Sequence, residues 1–194
     1  MEKNIRMRST SLRAYADQQH TTCWFSVKNK HHDLLNSALP AVRPWLLSQG
    51  SLTQQLRHHA DGQFRVLPLH ESLQHPKADE IKLLRIQRSQ RVWVREVLLY
   101  GNDKEPWVHA RSVMPLRTLR GSGRRLKLLK NRSLGSVLFE RGGVQLVPKY
   151  QQRKSRELAK LTEGWTRRTT YVWHNKYVLV QETFLPAFIE ALNS

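Results

Sequence analysis

Two apolar stretches of this chain, Val92–Leu99 and Tyr177–Phe184, each set one ionisable side chain among apolar neighbours at alternate positions. In a β-strand, alternate residues share a face. Arg95 then lies with Trp93, Val97 and Leu99, and Glu182 lies with Val178, Val180 and Phe184. A charge buried without a partner costs several kcal/mol, so such groups pair with each other or serve a ligand. Three arrangements satisfy this rule. Arg95 and Glu182 form a structural ion pair, or one of the two faces is solvated, or they line a closed cavity in which the guanidinium binds a carboxylate and the carboxylate binds a hydroxyl or moves a proton. Arg111 shares a face with Trp107, His109 and Val113. It either lines the same cavity or packs over Trp107 on the outer side.

Other chemistries find little support. The chain has no P-loop, no glycine fingerprint for dinucleotides and no Gly-x-Ser-x-Gly elbow. The pairs His31-His32 and His58-His59 are adjacent, so their rings diverge on a helix or a strand, and no metal site is expected. Cys23 is the lone cysteine and reads as a small buried residue rather than a nucleophile. It allows no internal disulfide, which suits a reducing compartment and a cytoplasmic location.

The elements that must position Arg95 and Glu182 are legible from turn residues and periodicity. Pro44 opens a helix that Gly50 ends, and Ser51 caps a second that stops at Asp61-Gly62. Phe64 and Val66 alternate with polar residues, and Pro68 marks a strand end or an edge position. The mostly polar residues 74–90 contain a short apolar stretch, Ile81–Ile86. Strands Arg91–Tyr100 and Trp107–Met114 form a hairpin across a turn-rich linker. Leu126, Leu129, Leu134, Val137 and Leu138 suit helical spacing. A last hairpin, Thr169–Trp173 and Tyr177–Phe184, precedes a short helix over Pro186–Leu192. Hairpins interrupted by helices predict an α+β domain on an antiparallel sheet. Residues 1–20 read as a loosely ordered basic arm and 21–194 as one domain.

Charge narrows the partner. The 33 Lys and Arg against 15 acids give a net +18, a field that attracts anions of any size. Eight basic residues and no acid occupy Arg111–Arg132, yet no aromatics are interleaved as a single-strand binder would require. The N-terminus lacks an apolar signal core, and no run reaches the roughly 18 apolar residues of a membrane span.

Ordered blocks then point to a family. Trp93-Val94-Arg95-Glu96-Val97-Leu98-Leu99, Glu105-Pro106-Trp107 and Ala110-Arg111-Ser112-Val113-Met114-Pro115 resemble the central hairpin of bacterial chorismate lyases. Ser133-Leu134-Gly135 with Leu138-Phe139, and Gln181-Glu182-Thr183-Phe184-Leu185-Pro186, resemble that family's later blocks in the same order. The resemblance spans about residues 40–190. It implies a monomer whose antiparallel sheet holds product in an internal cavity under helical flaps, without metal or redox cofactor. It implies ligand contacts at Arg95, Leu134 and Glu182, and a fourth at Leu52, where Ser51-Leu52-Thr53 stands for the family's Ser-Met-Thr. The implied reaction eliminates pyruvate from chorismate to leave 4-hydroxybenzoate, the first committed step toward ubiquinone. Arg95 would hold the ring carboxylate, and Glu182 would hold the hydroxyl and either shuttle a proton or only orient. The rival readings are a ligand-sensing domain of the same fold and a basic nucleic-acid-binding protein. For the enzyme, neither specific nucleic-acid binding nor membrane insertion is expected.

Overall fold

A computed structural model describes residues 24–26, 38–48, 50–138, 151–161, 163–173 and 176–193. The N-terminal arm, Cys23, His31-His32 and the turn at 174–175 lie outside the described residues. In chain order the elements are β1 (Phe25–Ser26), α1 (Arg43–Leu47), α2 (Leu52–His59), β2 (Arg65–Gln74), α3 (Ala78–Leu84), β3 (Val92–Tyr100) and β4 (Val108–Pro115). Two 3-10 segments, Leu116–Leu119 and Gly121–Lys127, lead to α4 (Leu134–Leu138), β5 (Gln151–Lys160), β6 (Trp165–Trp173), β7 (Lys176–Phe184) and α5 (Pro186–Ala191).

The strands form one seven-stranded antiparallel sheet in the order β1-β5-β6-β7-β4-β3-β2. This is the expected α+β architecture. Strand β4 lies between β3 and β7, which puts the two charge-bearing strands on either side of a common neighbour. Helices cover both faces. On one face Leu46, Leu52, Leu56, Val97, Leu99, Trp107, Phe184 and Phe188 join α1, α2 and α5 to the sheet. On the other, α3 packs Leu84 over Val92, Val94, Val113 and Leu179. Burying such side chains contributes roughly 1.5–3 kcal/mol each. The β3–β4 linker needs a glycine at 101, because a Cβ there would run into the buried Trp107 ring.

Of the two positions expected for Pro68, the structure has the edge: β2 runs on to Gln74 at the margin of the sheet, with a register shift between Pro68 and His70. An edge strand tolerates a residue without an N–H. The helical spacing over Leu126–Leu138 yields a 3-10 turn and a separate short helix, since Lys130 takes a left-handed backbone (φ 47°) between them. The leucines are buried regardless, with Met114, Tyr171, Val178 and Val180. Strand β5 has no counterpart among the expected elements, because Gln151-Gln152-Arg153-Lys154-Ser155-Arg156 has no apolar residue to set a period. Its pairing with β6 and β1 holds it in the sheet. No helix among the described residues is long and apolar enough to cross a membrane.

Candidate functional site

A cavity opens where the centre of the sheet carries small residues. Ala110 and Ser112 on β4 form its floor, flanked by Arg95, Val97 and Leu99 from β3, Val180 and Glu182 from β7, and Tyr171 from β6. In register, Arg95 pairs with Ser112, and Ala110 pairs with Glu182. The two charges therefore stand diagonally across a strand whose short side chains leave room between them. Gly50, Leu52 and Thr53 roof the cavity from the first cover, and Ser133, Leu134, Gly135 and Leu138 roof it from the second. All four residues expected to touch ligand, Arg95, Glu182, Leu134 and Leu52, line this one space.

The roof is latched. Thr53 Oγ1 and Ser133 Oγ share a buried hydrogen bond of 2.6 Å that joins α2 to the loop before α4. Ser51 caps α2, its hydroxyl accepting from the Gln54 amide at 3.3 Å. Gly135 lets the covers meet, since a Cβ there would lie 3.0 Å from Thr53 Oγ1. The enclosed space is about 30 Å³, room for a water molecule or two. A six-membered ring needs more room than this.

Arg95 and Glu182 do not pair with each other. Arg95 is buried, and its Nη1 donates to Glu71 of the neighbouring β2. Its Nη2 donates to the carbonyls of Lys130 at 2.6 Å and Arg132 at 2.9 Å, in the loop that precedes the second cover. Its Nε is buried with no hydrogen-bond partner among the described residues, a donor that a ligand oxygen would satisfy. Burial lowers the guanidinium pKa below the ordinary arginine value. Glu182 Oε2 accepts from Arg167 Nε at 2.6 Å. That charge-assisted bond suits a carboxylate acting as an acceptor, toward a hydroxyl or a proton.

Arg111 faces the other way. Its Nη1 donates to Glu96 at 2.6 Å, and its Nη2 lies 3.3 Å from Glu80, beneath α3. The polar segment 74–90 thus supplies the helix that closes the outer face, with Glu80 also accepting from the Lys77 amide at 2.9 Å. Neither cavity lining nor packing over Trp107 describes Arg111. Of the adjacent histidines, His59 packs its ring against Trp45, Trp107 and Phe188.

Burial alone would raise the Glu96 carboxyl. The His109 ring 3.8 Å away and the hydrogen-bonded Arg111 guanidinium outweigh it and hold the pKa at about 2. A depressed folded-state pKa contributes stability that is present above the unfolded value of 4.5 and is lost as pH falls toward about 2. Denaturant melts should therefore show Glu96→Gln less stable than the parent by about 3 kcal/mol at neutral pH, narrowing toward zero in strong acid. A gap independent of pH would contradict this origin.

Several residues around the cavity escaped the sequence reading: Thr53, Ser133, Tyr171, Glu71 and Arg167. Arg167 had a readable signal, because it alternates with Trp165, Thr169 and Tyr171 on β6. Starting that strand at Thr169 concealed it. Glu71 had none, since its partner lies across a strand pairing that the sequence does not reveal.

The family model and the relatives similar in sequence agree on one family. The family model described as chorismate lyase matches residues 17–191. A protein of Acinetobacter baumannii named "Probable chorismate pyruvate-lyase" is 38% identical over 149 residues, covering 77% of this chain and 83% of its own. A Pseudomonas aeruginosa protein of the same name is 43% identical over 159 residues, covering 79% and 88%. A transcriptional regulator of the GntR family from Enterococcus faecalis aligns with 63% of this chain and 89% of its own at 9% identity and a TM-score of 0.37, too distant to bear on function.

Proposed function

The chain belongs to the chorismate lyase family, and from that premise we propose that it eliminates pyruvate from chorismate to leave 4-hydroxybenzoate, the first committed step toward ubiquinone. One observation carries the reading: an enclosed, largely apolar cavity with a guanidinium and a carboxylate set diagonally across it. A para-substituted ring with a carboxylate at one end and a hydroxyl at the other complements that pair.

Arg95 binds the ring carboxylate, and Glu182 accepts a hydrogen bond from the ring hydroxyl. Leu52, Leu134, Val97 and Val180 enclose the ring and exclude water, which strengthens both polar contacts. The bond from the ring to the ether oxygen breaks, and the hydrogen on the neighbouring hydroxyl-bearing carbon leaves. The departing enolpyruvate gains a proton on its methylene carbon and becomes pyruvate. Aromatisation of the ring drives the step, and its balance requires no oxidant or metal. Glu182 either receives and returns that proton or only orients the ring while the hydrogen passes directly to the methylene. The exposed Arg124, Arg125, Lys127 and Lys130 precede the second cover and add to a field that draws in a dianion. A lone cysteine fits work in the cytoplasm.

The decisive experiment incubates the purified protein with chorismate in the presence of a chelator. 4-Hydroxybenzoate and pyruvate should appear in equal amounts, with the ring product followed by absorbance. Product no faster than the spontaneous reaction would sink the enzyme reading and leave a ligand-sensing domain.

A further inference from the structure

We infer that Arg167 is a positioning residue that ties the first cover of the cavity to the aim of the Glu182 carboxylate; this rests on the chorismate lyase reading above. Arg167 is among the largest fully buried side chains in the molecule. Its Nε donates to Glu182 Oε2 at 2.6 Å. Its Nη1 donates to the carbonyl of Trp45, to Ser48 Oγ at 2.7 Å and to the Ser48 carbonyl at 3.5 Å. Trp45 lies in α1, and Ser48 ends it three residues before Ser51 caps α2. The acceptors of Arg167 at 45 and 48 thus lie a few residues in sequence from Leu52 and Thr53 of the roof.

A guanidinium is planar and rigid, so fixing Nη1 also fixes the direction in which Nε points. The acceptors at 45–48 therefore set where Arg167 presents its Nε–H, and that bond sets the rotamer of Glu182. When the first cover shifts, Nη1 loses acceptors in a place sealed from water, and the guanidinium must turn to recover them. Glu182 turns with it. The carboxylate is aimed into the cavity only while the cover is in place. Arg95 has a matching arrangement, with two carbonyls of the loop before the second cover on its Nη2. Each charged group of the site is thereby tied to one of the two covers.

The test is a pair of double-mutant cycles on chorismate turnover, with melting curves alongside. Ser48→Ala removes one Nη1 acceptor and keeps the backbone. Arg167→Lys keeps the charge and loses the fork. Ser48→Ala should lower kcat a few-fold and Arg167→Lys roughly thirtyfold, and both losses should shrink to less than about twofold in a Glu182→Gln background. The amide of that background would still offer Arg167 an acceptor oxygen, so the fold survives in the reference protein. An arginine that merely holds the fold together would couple to its direct partner Glu182 in melting temperature, and would leave the Ser48→Ala loss in kcat the same with either side chain at position 182. Equal losses in both backgrounds, or full activity of Ser48→Ala, overturn the inference. Should Arg167→Lys fail to fold, the Ser48→Ala cycle decides by the same criterion. A parent protein without turnover sinks the enzymatic reading itself, whereas an active parent with additive cycles sinks only the role of Arg167.

Discussion

Arg95→Lys should weaken 4-hydroxybenzoate binding by about a hundredfold while the protein still folds. The guanidinium already serves Glu71 and two carbonyls, and it keeps Nε in reserve. A planar fork can meet these demands together, because its donors point in fixed and divergent directions. A lysine brings three donors on one compact ammonium. It would be drawn to Glu71 or to the loop carbonyls and would leave the ligand carboxylate facing a neutral wall. A charge-assisted hydrogen bond contributes about 1.5–3 kcal/mol, which is roughly ten- to a hundredfold in affinity. A carbonyl of Lys130 or Arg132 left unpaired should also lower the melting temperature by several degrees. Titration calorimetry with 4-hydroxybenzoate measures the first effect and a thermal melt the second. Unchanged affinity would mean that the ligand carboxylate binds elsewhere.

Glu182→Gln should reduce chorismate turnover by roughly a hundredfold and change product affinity only a few-fold. The amide keeps the shape and one hydrogen-bonding oxygen, which can still accept from Arg167 while its NH2 faces the ring hydroxyl, and it removes the capacity to take up a proton. Loss of kcat with affinity preserved is the signature of an interaction made in the transition state alone. A drop of only a few-fold would instead assign Glu182 to orientation. The ring hydrogen would then pass directly to the enolpyruvyl methylene. Melting curves separate both outcomes from a structural effect, because Arg167 is wholly buried and depends on Glu182 for charge balance. An unstable variant would show a lowered transition before any assay is run.

Local features were legible in the order of residues. Alternation along Val92–Leu99 and Tyr177–Phe184 marked Arg95 and Glu182 as charges on apolar faces. Pro44, Gly50 and Ser51 delimited the first cover, and the observed helices Arg43–Leu47 and Leu52–His59 follow those signals closely. The Gly101–Pro106 linker marked the central hairpin. These features depend on near neighbours in the chain: a period of two, a missing N–H, a cap within one turn. Ordered blocks sufficed for the family.

Which groups face which depends on strand order and helix docking. An ion pair between Arg95 and Glu182 was a fair expectation, but β4 separates their strands, and Glu71 and Arg167 take the partner positions instead. Arg111 could be given a strand parity but not a sheet face, because the face that becomes a cavity depends on where the helices dock. The hollow itself is the product of strand order. Ala110 and Ser112 are unremarkable in the sequence, and they form a floor only because larger side chains stand on both sides. Strand β5 makes the same point from the other direction, since a segment without apolar period is held by backbone pairing to a neighbour that is itself well marked. Periodicity acts over a few residues, whereas register, strand order and ion pairing join residues far apart in the chain, such as Ser48 to Arg167.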